Sequence, residues 1–178
     1  GILLWRRLRA LVIPMLRRWW QNLTTTHLAL RRLFPPHVLS AIDAAIGASE
    51  RDHRAEIRVA IEAALPPAGL RRGATPADRA ASVFATLRVW DTAENNGVLL
   101  YVLLAERAIE IVADRGFAGR VTTEEWAAIC QAIVAEFAAG RHEAGVLSGL
   151  DAISALARRH FPVAGGDRNE LPDRTVLL

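Results

Sequence analysis

The sequence predicts an α/β protein: a mixed β-sheet flanked by helices on both faces, an αβα sandwich. Three observations predict it. The body reads helix, strand, helix, strand, strand, helix, helix, and such interleaving places helices on both sides of a sheet. The run Val98–Leu104 is almost wholly apolar, the pattern of a strand covered on both faces. Two helix starts are written in cap residues, Thr75-Pro76-Ala77-Asp78 and Thr122-Thr123-Glu124-Glu125.

Taken in order, residues 2–20 form a basic amphipathic segment. Leu4, Leu8, Leu11, Met15, Leu16 and Trp19 recur at helical spacing, and Arg6, Arg7, Arg9, Arg17 and Arg18 fill much of the remainder. Pro14 kinks or divides a helix there. Residues 22–26 read as a linker. A short helix reaches Phe34, where Pro35-Pro36 stops it, and a further helix covers 36–50. From Glu56 towards Leu65 the chain alternates, Ile57, Val59 and Ile61 against Glu56, Arg58 and Ala60, which predicts a strand with one buried face. Pro66–Gly73 reads as a loop. The helix that starts at Thr75 carries Val83, Phe84 and Leu87 inward. Val98–Leu104 and Ala108–Ala113 are strands, joined by Ala105-Glu106-Arg107 at hairpin length. The second capped helix runs to Ala139 and ends at Gly140. A last helix spans Glu143–His160 and closes on Phe161-Pro162. The division expected is an arm over 1–22, one domain over 23–162, and a disordered tail over 163–178, where Gly, Asp, Pro and Arg dominate.

The length of 178 residues fits one domain. All 22 basic residues are arginine. Seven of them precede the first acid, Asp43, so residues 1–42 are strongly cationic, while the remainder sets 15 arginines against 19 acids. A basic arm on a mildly acidic body argues against nucleic acid, which needs its cations on the folded face, and no aromatic platform is interleaved with them. The absence of lysine removes Schiff-base chemistry and the phosphate loop that depends on a lysine amine. Cys130 is the sole cysteine and reads as a buried core thiol. No 18-residue uncharged apolar run occurs, and arginines interrupt the start too often for a signal peptide. The body is accordingly expected in the cytoplasm. Ser148 lies in Gly-Val-Leu-Ser-Gly, which is not the hydrolase elbow. His27, His37, His53 and His160 lack metal-ligand spacing, and His142 beside Glu143 reads as a surface residue at a helix end.

The chemistry concentrates in two loops. Trp90-Asp91-Thr92-Ala93-Glu94-Asn95-Asn96-Gly97 precedes the most apolar strand, and Asp114-Arg115-Gly116-Phe117-Ala118-Gly119-Arg120 follows the next one. If these strands form an antiparallel hairpin, the two loops meet at one sheet end. Asp91, Glu94, Asn96 and Asp114 are then candidate oxygen donors for a hard cation, Ca²⁺ or Mg²⁺. Glu56 at its strand start is a weaker candidate for the same cleft. Arg115 and Arg120, with the backbone amides of Gly97 and Gly116, are candidates for phosphate oxygens. A cation and an arginine clamp together suit metal-assisted phosphate hydrolysis. The plainer alternative stands beside this one: a turn at Asn96-Gly97, a cap at Asp91 and Glu94, and a surface ion pair at Asp114 and Arg115. Trp90 either walls the cleft or packs in the core.

Asn95-Asn96-Gly97-Val98-Leu99-Leu100-Tyr101-Val102, then Arg107, Ile109-Glu110-Ile111 and Asp114-Arg115-Gly116, resemble the core of a TPM domain. So do the upstream strand with Glu56 and the downstream Phe137-Ala138-Ala139-Gly140-Arg141-His142 leading to a helix with Gly145. The resemblance covers residues 30–162 and implies a helix-flanked sheet. It implies function more loosely, since members are reported as acid phosphatases, calcium binders, aids to photosystem repair, or aids to membrane-protein assembly. Extracytoplasmic members usually carry Asp-Asn-Gly-Val where Asn95-Asn96-Gly97-Val98 stands, and Gly-Tyr-Gly-Leu-Glu-Gly where Asp114-Arg115-Gly116-Phe117-Ala118-Gly119 stands. A carboxylate is thus absent at Asn95, and Ala118 replaces a glutamate.

Two functional expectations follow. In one, a divalent cation and a phosphate-bearing ligand bind between the loops, with slow phosphatase activity. In the other, a non-catalytic module assists a protein partner and attaches peripherally to an anionic membrane surface through residues 1–22. The arm's alternatives are docking on the body or on a second copy.

Overall fold

The structure, a computed structural model, describes residues 14–163 and 170–178. Expectations for residues 1–13 and 164–169 lie outside the described residues. The element order is α1 (helical over 14–24), α2 (His27–Leu33), α3 (Pro36–Ser49), β1 (Ile57–Glu62), α4 (Pro67–Arg71), α5 (Pro76–Thr86), β2 (Val98–Leu103), β3 (Ala108–Ala113), a 3₁₀ turn (Arg115–Phe117), α6 (Thr123–Ala138), α7 (His142–His160) and β4 (Val176–Leu177).

The sheet runs β3-β2-β1-β4. β1 and β2 are parallel, with Ile57 opposite Val98, and β2 and β3 are antiparallel, with Val98 opposite Ala113. The mixed sheet expected from the sequence is therefore present. Period-two alternation sends Ile57, Val59, Ile61, Val98, Leu100 and Val102 to one face, where α3, α6 and α7 supply Ile42, Ile46, Ile133, Val146 and Ile153. The other face carries Ala60, Leu99, Tyr101 and Leu103, covered by Leu70, Ala80 and Val83 of α4 and α5 and by half-buried Trp19 of α1. Helices thus flank both faces.

Both helix starts form as read, and each closes as a capping box. The Thr75 side chain accepts from the Asp78 amide, and the Thr122 side chain from the Glu125 amide. Gly149 sits where a Cβ would come within 2.4 Å of Ile133 Cδ1, so its small size sets the close approach of α7 to α6.

Four expectations are corrected. β1 is buried along its whole length, not on one face, because the second face is also covered: Ala60 packs with Leu65 and Leu70, Glu62 receives Arg79 and Tyr101, and the Arg58 guanidinium donates to Pro172 O. Pro66–Gly73 contains a short helix, which Pro67 starts with its fixed φ. Residues 22–24 continue α1 where a linker was expected. The tail is ordered over 170–178, where β4 pairs with β1 through Ala60–Val176 and Ile61–Leu177. Sequence composition could not show this pairing, because its strength comes from the body's side chains.

Candidate functional site

The hairpin of β2 and β3 brings the two loops together, as its antiparallel register requires. Asp114 N–H donates to Gly97 O at 2.9 Å, and Gly116 N–H donates to Asn95 O at 2.8 Å. Arg115 Nε donates to Asn95 Oδ1 at 2.8 Å. Asn95 adopts a φ of 53°, a left-handed conformation that asparagine tolerates better than most residues. The glycines permit the approach. A Cβ at Gly97 would lie 1.8 Å from Val89 O, and one at Gly116 would lie 2.5 Å from Asn95 O. Both are therefore packing requirements of the junction.

Glu94, Asn96, Asp114, Arg120 and Glu56 have internal partners. Glu94 pairs with the Arg54 guanidinium, whose Nε also donates to Pro162 O at 3.0 Å. Asn96 is buried, and its Nδ2 donates to Arg54 O at 2.5 Å while its own N–H donates to Thr92 Oγ1 at 3.0 Å. Asp114 caps the 3₁₀ turn, its Oδ1 accepting from Arg115 N at 2.7 Å. Arg120 turns to the end of α7, donating to His160 O at 3.0 Å with its guanidinium 5.0 Å from the Phe161 ring centroid. There it complements the negative end of the helix dipole. Glu56 is buried and accepts from the Glu170 and Leu171 amides at 2.9 and 3.0 Å. It holds the C-terminal segment. Asp91 and Trp90 are exposed at the loop's start, so core packing does not describe Trp90.

A hard cation such as Ca²⁺ takes about six to eight oxygens. In this junction two buried side-chain oxygens stand without a hydrogen-bond partner, Asn96 Oδ1 and Asp114 Oδ2. The carboxylates of Glu94 and Glu56 are engaged elsewhere. Among the described residues, no three His, Cys, Asp or Glu side chains stand together in a metal-binding group. The residues present fall short of a closed calcium cage and retain two acceptors.

Sequence reasoning missed the residues that organise this region. Arg54 ties the 91–97 loop to the end of α7, and its partners lie 40 and 108 residues away. Beneath the opposite face, Tyr101 Oη donates to Glu62 Oε2 at 2.5 Å, and Arg79 donates to both Glu62 oxygens at 2.8 Å. Burial and the Glu62 carboxylate together hold the Tyr101 hydroxyl protonated far beyond its usual range. His142, read as a surface residue, packs instead against Phe137 and Phe34, with ring centroids 4.9 and 6.3 Å apart. Cys130 is half-buried, and burial, reinforced by Glu110, pushes its thiol up to about 11.

Compared with families of known proteins, the chain matches the TPM domain over residues 31–156. It is similar to the NMR structure of the BA42 protein from the psychrophilic bacterium Bizionia argentinensis, with 28% identity and a TM-score of 0.71, covering 80% of this chain and 93% of that one. It shares a fold with the N-terminal domain of a protein from P. gingivalis, at 20% identity and a TM-score of 0.58, covering 74% of this chain and 83% of that one. No curated protein matches it.

Proposed function

The chain belongs to the TPM-domain family, and from that premise we propose that it is a non-catalytic interaction module, held against an anionic membrane surface by its N-terminal helix. One observation carries this reading: α1 is fastened to the body by Arg18 and Asn22 beside the half-buried Trp19. Arg18 Nε donates to Glu106 Oε1 at 2.8 Å, and Asn22 bridges the same carboxylate and the Leu65 amide. That attachment turns Leu16, Trp20 and Leu23, spaced on one helical stripe, to the outside, where they are 62%, 70% and 63% exposed. Arg17 is exposed on the same helix, and Arg31 and Arg32 on α2. An outward apolar stripe with arginines beside it suits a lipid surface bearing negative charge. Among the described residues no helix is long and apolar enough to cross a membrane, so the attachment proposed is to the surface.

The full chain is expected to sediment with phosphatidylglycerol-containing vesicles and not with phosphatidylcholine alone, and to release in high salt. Replacing Leu16 and Trp20 together by Glu is expected to weaken vesicle binding roughly tenfold or more with no loss of thermal stability, since both side chains are exposed. An unmodified chain that ignores anionic vesicles sinks the membrane part and leaves a protein partner as what the stripe meets.

A second reading is favoured by the two unpartnered oxygens at Asn96 and Asp114. They support weak binding of Ca²⁺ or Mg²⁺ at the loop junction, with Arg115 beside it for a phosphate-bearing ligand. On this reading Asp114→Asn weakens the cation's calorimetric signal while leaving metal-free stability nearly unchanged. A large loss of metal-free stability identifies Asp114 as a structural cap only.

A further inference from the structure

The last nine residues touch the body in the way that a bound peptide does. Glu56 accepts two successive backbone amides, from Glu170 and Leu171. The Arg58 guanidinium donates to Pro172 O. Asp43 Oδ1 accepts both the amide and the hydroxyl of Thr175, each at 2.7 Å. The segment then joins β1 as a short parallel strand, with Leu178 N–H donating to Ile61 O at 3.0 Å. Leu171, Val176 and Leu178 pack on the face that holds Tyr101 and Leu103. The cradle is cut to size at Gly47, where a Cβ would come within 2.7 Å of Asp173 Oδ2. Three buried or half-buried charged side chains of the body thus read main-chain groups of this segment. The segment also lies wholly outside the residues matched to the TPM domain, 31–156. Within residues 31–156 of this chain no strand pairs with that flank of β1, and an open strand edge is a template for pairing with another chain.

We propose that this flank of β1 is a peptide-binding edge whose resident ligand is the chain's own residues 170–178, and that the same segment of a second copy takes its place when the resident strand is released. The occupant follows from what the edge reads. The groups that engage Glu56, Arg58, Asp43 and the apolar face recur together, in order, in a second copy. Competition in the intact chain is unequal, because a tethered segment acts at an effective concentration of about millimolar. The intact chain therefore keeps its own strand at micromolar concentration, and exchange emerges once the tether is cut.

The test uses the full chain with a protease site in place of residues 164–169, cleaved after folding. Isotopically labelled and unlabelled cleaved chains are mixed and examined by native mass spectrometry. Hybrid pairs of one copy's body with the other's C-terminal fragment are expected. A fluorescent synthetic peptide of residues 170–178 is expected to bind the cleaved body with one-to-one stoichiometry, and at least tenfold more weakly when the body carries Glu56→Gln with Asp43→Asn. Three results would overturn the proposal: a fragment that never exchanges, a folded body that loses the fragment and does not take up the peptide, or a body that unfolds as the fragment leaves. The last would make the segment an integral part of the core.

Discussion

At the residue scale, Glu50, just past the end of α3, is a buried carboxyl whose proton is linked to folding. One of its oxygens accepts from the Ile57 amide at 3.0 Å, and the other is buried. Burial, with the nearby charges of Glu56 and Asp173, pushes its carboxyl from 4.5 up to about 9. Arg58, its own pKa lowered by burial, and Asp43 complete the surrounding charges. The folded protein therefore keeps a proton that the unfolded chain gives up. Stability from this source is complete below pH 4.5 and is lost as pH rises to about 9. The slope is at most about 1.4 kcal/mol per pH unit. Glu50→Gln is expected to flatten the pH dependence of urea-unfolding free energies over that window. Parallel slopes for the two proteins would place the proton elsewhere.

At the element scale, β1 is tied to its neighbours by charge as well as by hydrogen-bonded pairing. Glu62 at its end receives Arg79 of α5 and Tyr101 of β2, so one carboxylate joins three elements. Glu62→Ala leaves the buried Tyr101 hydroxyl and the Arg79 guanidinium without their acceptor and is expected to cost about 3 kcal/mol in urea unfolding. Arg79→Met is expected to cost less, because Arg79 is about a quarter exposed and water can replace part of its role. A Glu62→Ala loss below that of Arg79→Met would show that the network is not what holds α5 to the sheet. The elements themselves were legible because their signals are local. Thr75 and Thr122 announce their caps within three residues, and the apolar runs at 98 and 108 lie one turn apart, which is enough to bring the two loops together. What joins the elements was not legible. Glu94 meets Arg54 40 residues away, and Glu56 meets Glu170 and Leu171 more than a hundred residues away. Nothing in the spacing of a lone acid distinguishes a metal ligand from an acceptor for a distant amide. Glu56 and Glu94 therefore read as candidate ligands in the sequence, and the structure gives each carboxylate a partner within the chain.

At the scale of the whole molecule, the charge imbalance of the chain becomes a placement of surfaces. The arginine-rich N-terminal part does not trail from the body over its described residues. Glu106, in the turn between β2 and β3, grips Arg18 and Asn22 and lays α1 along the domain. An acid in a hairpin turn gives no sign of this role, since solvated turns are commonly charged. The grip also fixes which side of α1 looks outward. Glu106→Gln removes the ion pair while keeping a hydrogen-bonding oxygen, and Arg18 is partly exposed, so the global cost is expected to be only about 1 kcal/mol. Locally the effect should be larger: amide exchange over residues 14–24 should rise, with exchange in β1 and β2 unchanged. If the exposed stripe of α1 is the membrane contact, the loosened helix also gains Trp19 for that contact, and vesicle binding should tighten. Faster exchange with unchanged vesicle affinity would mean that the docked orientation already presents the whole binding face. Unchanged exchange would mean that Asn22 and the packing of Trp19 hold α1 without Glu106.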